Sequence, residues 1–278
     1  MIDAARQIRQ LDPGIGGYKL WLMIKSMFLD DWTPGRDKFF ALLQAYGLGL
    51  PRPKPRHTTN SNHHYHKYKN LIIGFVPTSA IQLWVSDITY IDLENGCCYL
   101  HLVTDAYSHK IVGWCLSETL EAKYTIKALM MAIAQIGETD LSGLIHHSDR
   151  GSQYCCNAYV GLLQEYKIRI SMTEDYKPTD NAIAERVNGI IKEEVVYREK
   201  CFKTRQQAYE RLDTFITFYN ERRPHMSIGY QTPNQAHLQT GEQQRVWKNR
   251  GHKYCENKEN VVSLCCQKPV SAMDYATV

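Results

Sequence analysis

Residues 81–117, IQLWVSDITYIDLENGCCYLHLVTDAYSHKIVGWCLS, decide the fold. The first part alternates in period two, with Ile81, Leu83, Val85, Thr89 and Ile91 on one side, which is the pattern of a strand and not of a helix. LENG and SHK break the stretch as short turns, so it reads as three consecutive antiparallel strands, a meander. Working outward, EAKYTIKALMMAIAQIG (121–137) reads as a helix, LSGLIHHSD (141–149) as a strand, NAYVGLLQEYKI (157–168) as a helix and RISMT (169–173) as a short strand. TDNAIAERVNGIIKEE (179–194) is helical, with Asn181 able to cap it and Ile183, Val187, Ile190, Ile191 and Val195 on one side. A longer helix, TRQQAYERLDTFITFYNERR, ends before Pro224. The order predicts an α/β protein with one mixed five-stranded sheet flanked by helices.

Upstream of the meander, residues 1–50 predict a small helical region, with one stripe of Leu20, Trp21, Ile24, Met27 and Phe28 and another of Phe39, Leu42, Leu43 and Tyr46. Two short helices there suggest a helix-turn-helix-like module. Residues 51–79 read as a basic linker, 80–237 as the α/β core and 238–278 as a C-terminal tail. The linker opens PRPKPR and supplies Arg52, Lys54 and Arg56; between residues 51 and 69 it holds no acid. That run suggests a polyanion partner, although the whole chain carries only 33 Lys and Arg against 29 Asp and Glu.

At 278 residues the chain can bury one sizeable core and a small second module. No window approaches 18 uninterrupted apolar residues, so no membrane span is expected. MIDAARQIRQLD is not a secretory signal, and the nine cysteines include three adjacent pairs but no C-x-x-C, which points to reduced thiols in a cytoplasmic protein.

The acids raise the question of chemistry. Asp87 sits mid-strand on the face of Val85 and Thr89, where a carboxylate is costly unless hydrogen-bonded, paired or bound to a cation. Asp149 ends the fourth strand, where open α/β sheets commonly hold ligands. If the first and fourth strands are neighbours, the two carboxylates repel unless a cation lies between them. Mg²⁺ or Mn²⁺ is the natural candidate, and Glu185 on its helix could complete a site for two ions about 4 Å apart. With 29 acids in 278 residues, pattern alone leaves open a buried hydrogen-bonded Asp87, a turn-capping Asp149 and a solvated Glu185.

WVSDITYI, YLHLVTDAYSHKIVGW, HHSDRGSQY, DNAIAERVNGIIKEE and FITFYNERRPHMSIGYQTP occur in this order. Together they resemble the catalytic core of DDE transposases, the OrfB proteins of insertion-sequence family three, a core that is similar to retroviral integrases. The resemblance runs from about residue 71 to 237. It implies an RNase H-like fold and metal-dependent DNA strand cleavage and strand transfer, with Mg²⁺ or Mn²⁺ as a pair of ions. Carried over, the three acids fall on Asp87, Asp149 and Glu185, with the 35 residues 150–184 between the last two, and the basic residue seven after the glutamate falls on Lys192.

The resemblance also implies roles around the triad. Lys192 would contact a DNA phosphate, and Arg150, Asn188, Arg52, Lys54, Arg56 and the pair Arg222 and Arg223 are further candidate DNA contacts. Asp105 is expected to be a structural acid, His146 and His147 satisfied core histidines, and Trp84 and Tyr90 core residues. The implied partners are DNA at element ends and target, further copies of the chain and an OrfA-type DNA-binding protein. The alternatives are another RNase H-like nuclease, which would hydrolyse without joining, and a non-catalytic DNA-binding protein.

Overall fold

The computed structural model describes residues 1–28, 33–50, 64–137, 139–174, 181–199 and 201–243. Three helices come first: α1 (Ile2–Leu11), α2 (Gly17–Met27) and α3 (Arg36–Ala45). The sequence reading placed two helices here; α1 is a third, and it buries Ala5 and Ile8, three positions apart on one face. The meander follows as β1 (Leu83–Leu93), β2 (Gly96–Asp105) and β3 (Ile111–Ser117). Then come α4 (Ala122–Ala134), β4 (Ile145–Ser148), the single turn α5 (Ser152–Cys155), α6 (Asn157–Glu165) and β5 (Arg169–Met172). The chain closes with α7 (Ala182–Ile191), which continues as a π-turn over Lys192–Val196, then α8 (Arg205–Glu221) and α9 (Pro233–His237).

The sheet has the order β3-β2-β1-β4-β5. β1 pairs antiparallel with β2, Asp87 opposite Leu102, and β2 pairs antiparallel with β3. β4 joins β1 in parallel, Ser86 opposite Ser148, and β5 joins β4 in parallel. This is the mixed five-stranded arrangement of the RNase H-like kind that the sequence led us to expect.

Period two along β1 sends alternate residues to two different cores. Trp84 packs with Val103, Val112, Leu129, Ile133 and the α6 residues Tyr159 and Leu163. On the opposite face Ile91, Leu100, Leu102 and Trp114 pack against Val187, Ile190 and Ile191 of α7 and Leu212, Phe215 and Ile216 of α8. Fully burying one such large apolar side chain contributes roughly 1.5–3 kcal/mol, so helices on both faces are what make the sheet stable. Gly113 lets α4 approach β3 closely: a Cβ there would lie 2.0 Å from the carbonyl oxygen of Ala128.

Ile81 departs from the expected alternation. Its φ is 65°, it precedes β1, and it packs toward the α4 side. Tyr90 is also not core: it is 37% exposed and meets Tyr99 edge to face. Trp84 is fully buried.

The N-terminal helices share a buried cluster with the core helix α8, in which Ile8, Ile15, Leu20, Ile24, Phe39 and Leu43 meet Phe218. Beneath it Arg223, fully buried, donates two hydrogen bonds of 2.6 Å to the carboxylate of Glu194 and lies 3.7 Å from Asp12. Arg223 is therefore not a phosphate contact: a guanidinium held bidentately by a buried carboxylate has no face left for DNA. Its neighbour Arg222 is exposed.

Candidate active site

The parallel pairing of β1 and β4 ends at Ser86 and Ser148, so the next residue of each strand, Asp87 and Asp149, stands side by side at one sheet end. Neighbouring strands are about 4.8 Å apart, which brings like charges together. Asp87 faces α7, because its β2 partner Leu102 belongs to the core on that side. One of its oxygens accepts from the Ile88 N–H at 2.8 Å and the other from the side-chain amide of Asn188 at 2.7 Å. Asp149 accepts from the N–H of Gly151 at 2.9 Å.

Helix α7 brings the remaining groups. Asn181 precedes it but does not cap it; its amide donates instead to the Ser86 carbonyl at 3.1 Å and pins the helix start to β1. The buried face, Ala184, Val187, Ile190 and Ile191, docks the helix, and Asn188 comes down beside Asp87. Glu185 is exposed in the first turn, where the positive end of the helix dipole favours an acid. Lys192, half-buried, ends the helix. Burial lowers its pKa, while Asp87 and Asp92 lie close enough to pull it back up.

Burial pushes the Asp87 carboxyl up to about 7, helped by the charge of Asp149 and, less, of Glu185; the hydrogen bonds from Ile88 and Asn188 act against this and lose. A carboxyl poised near neutrality between two further acids is the kind of perturbed group found at functional sites. Among the described residues, no three histidine, cysteine or acidic side chains converge tightly enough to form a ready metal cage. Glu185 reaches outward, and the close pair is Asp87 with Asp149. The donor set still fits a hard divalent cation, because it consists of carboxylate oxygens whose repulsion such a cation would relieve.

Tyr154 was not singled out from sequence. It is fully buried, its hydroxyl has no hydrogen-bond partner among the described residues, and burial and the charges of Asp87 and Asp149 all push its pKa up. Its signal was its place five residues after Asp149 in HHSDRGSQY, but a buried tyrosine and a site tyrosine share that spacing.

Other candidates fall outside the cluster. Asp105 lies on the opposite face from Asp87 and is occupied by turn bonds from the N–H groups of Ile81 and Ser108 and the Ser108 hydroxyl. His146 is bonded to Ser86 and Tyr159, and the Nδ1 of His147 to Ser171, so both are buried core residues. Arg150, half-buried, follows Asp149 directly. Arg52, Lys54 and Arg56 lie outside the described residues. No helix among the described residues is long and apolar enough to cross a membrane.

Two matches now bear on these residues. The integrase core domain matches residues 77–178, and a second integrase core domain profile matches residues 166–233. Residues 77–233 of the chain therefore belong to the integrase core domain family. The two matches together span all three acids, α7 and the whole of α8.

Relatives cover the same region. A transposase for insertion sequence element IS629 from Shigella sonnei is 35% identical over 162 residues, covering 58% of this chain and 53% of that protein. The transposase for IS904 from Lactococcus lactis is 33% identical over 160 residues, covering 57% and 62%. Transposase InsF of IS3A from Escherichia coli K12 is 32% identical over 162 residues, covering 58% and 55%. The chain thus matches little more than half the length of these relatives. Among solved structures, the HTLV-2 integrase catalytic core in complex with magnesium is 19% identical with a TM-score of 0.46, covering 57% of this chain and 97% of that one.

Proposed function

We propose that this chain is a DNA transposase that cleaves strands at element ends and transfers them, with Asp87, Asp149 and Glu185 as its catalytic acids. The observation that carries the reading is the juxtaposition of Asp87 and Asp149 where the β1–β4 pairing ends, beneath the helix that presents Glu185, inside the two integrase core matches. The acids would hold divalent Mg²⁺ or Mn²⁺, two ions in all. When bound, such ions activate an attacking oxygen and stabilise a leaving one.

The chain's own residues do the rest. Asn188 donates to one Asp87 oxygen at 2.7 Å and the Ile88 N–H to the other, so the carboxylate is held in one orientation. Lys192 supplies a cation along the same helix edge for a DNA phosphate, with Arg150 beside Asp149. The basic run containing Arg52, Lys54 and Arg56 would add sequence-independent phosphate contacts that weaken with salt. In cleavage a water oxygen bonds to phosphorus as the bond to the 3′ oxygen breaks; in transfer that 3′-hydroxyl takes the place of water, so one site serves both steps. The expected partners are element-end and target DNA, a second copy of the chain and an OrfA-type protein.

The test is a strand-transfer assay on end-sequence DNA with Mg²⁺, with and without the upstream partner. Joined products are expected. Cleavage without joining would favour another RNase H-like nuclease, and binding without cleavage even with the partner would favour a DNA-binding protein.

A further inference from the structure

A cavity of about 650 Å³ lies between the N-terminal helices and the flank of α7, apart from the acids. Tyr18, Phe40, Leu43, Ile190 and Tyr230 line it. Its aromatic side comes from two segments: Tyr18 of α2 and Tyr230, which follows α8, meet edge to face with centroids 5.2 Å apart. Tyr230 adopts a left-handed φ of 63° and is held there by its N–H, which donates to the His225 carbonyl at 2.8 Å. A non-glycine residue in that region is uncommon, and such strain concentrates at ligand clamps.

The polar side of the cavity is cationic. Arg9, Lys19 and Arg186 line it, and no carboxylate does. Glu194 lies 3.5 Å from Lys19 and Glu193 lies 4.0 Å from Arg186, so those two charges are partly compensated. Arg9 donates to the carbonyl of Leu48 and is drawn as well by the charge of Asp12. Flat aromatic faces together with several cations suit a ligand that is a planar ring on an anionic backbone. An apolar peptide helix would match the rings and leave the cations without purpose. The volume falls within the roughly 300–1,000 Å³ of small-ligand sites, large enough for one nucleotide.

Its position points the same way. Arg186 follows Glu185 directly, and Ile190 lies roughly 7.5 Å from Glu185 along the helix axis. That span is about two nucleotide steps at about 3.4 Å each. We propose that the cavity receives one unpaired base of the DNA strand engaged at Asp87, Asp149 and Glu185, its ring against Tyr18 and Tyr230 and its flanking phosphates on Arg186 and Lys19. The inference rests on the reading of DNA as the substrate, and it adds a reason for the N-terminal helices to be docked where they are.

The test uses the full chain and an end-sequence duplex with a single bulged position within three nucleotides of the scissile phosphate, either bearing a base or abasic. The base-bearing duplex is expected to bind roughly ten-fold more tightly. Tyr18→Ala and Tyr230→Ala should each shrink that ratio toward one while leaving the abasic affinity unchanged, and the Phe variants should keep it. Equal binding of both duplexes by the unmodified chain, or a ratio that survives both Ala variants, overturns the cavity's role while leaving the DNA reading intact. Failure to bind either duplex, with or without the upstream partner, would sink both.

Discussion

The two ends of α7 carry two clusters of acids that behave in opposite ways. At its start, Asp87 and Asp149 repel each other, and burial drives Asp87 up to about 7. Just past its end, in the π-turn, Glu194 is as deeply placed, yet its pKa falls, because Arg223 and Lys19 outweigh burial. Its neighbour Asp12 shifts the other way, its pKa raised by burial and by Glu194. Gly14 permits the arrangement, since a Cβ there would lie 2.1 Å from the Glu194 Cα. The difference teaches what each cluster is for. Acids matched by resident guanidinium and ammonium groups fix the N-terminal helices to the core, whereas Asp87 and Asp149, where the β1–β4 pairing ends, raise each other's cost of ionisation, as the proposed cation site requires.

Replacing Arg223 by Met should break the comparison most severely. It would leave Asp12 and Glu194 buried without their guanidinium, a loss of roughly 3–5 kcal/mol in urea unfolding. A variant as stable as the original chain would mean the cluster is not what holds these elements together.

Asp87→Asn should do the reverse. It removes a repelled charge while keeping size, so the metal-free protein at pH 8 should melt at the same or a higher temperature, and its stabilisation by Mg²⁺ or Mn²⁺ should vanish. A clear drop in melting temperature would show that the Asp87 charge is structural.

The pH dependence sharpens the point. The Asp87 carboxyl is raised from an ordinary value near 3.9 to about 7, so the folded state binds the proton more tightly than the unfolded one. Its contribution to stability is full below about pH 4 and is lost as pH rises toward 7. A melting-temperature series from pH 4.5 to 8 without metal should show a downward component that Asp87→Asn removes; identical series for the two proteins would contradict the assigned shift.

The smallest effect is at Lys192. Its substitution by Ala should weaken DNA binding a few-fold, evenly across sequences, and reduce the salt slope by about one. An unchanged slope would remove Lys192 from the phosphate contacts.

Much of this was legible in the sequence. Period two in residues 81–117 and two turns were enough for the meander, because successive side chains of a strand point to opposite faces. The neighbouring of β1 and β4, on which the approach of Asp87 to Asp149 depends, was anticipated as an arrangement and appears as direct pairing. What stayed hidden shares one cause: it depends on contacts distant in sequence. Arg223 beside Arg222 looked like a surface pair, and only the partner Glu194, 29 residues earlier, makes it a buried strut. Asn181 had the composition of a cap, but Ser86, 95 residues away, takes its amide. Asn188 read as a candidate DNA contact, and its bond to Asp87, across 101 positions, makes it a buried partner of that carboxylate. Glu185 posed the opposite problem: periodicity assigned it to the solvated face, and it is exposed, so only the neighbouring blocks of sequence singled it out.

The central claim, that these acids form one strand-transferring site, is tested most directly by strand transfer on paired end-sequence DNA with Mg²⁺ and the upstream partner, comparing the unmodified chain with Glu185→Gln. The unmodified chain should yield joined products, while Glu185→Gln should bind the same DNA with similar affinity and neither cut nor join it. Joining by Glu185→Gln at the unmodified rate would contradict the assignment.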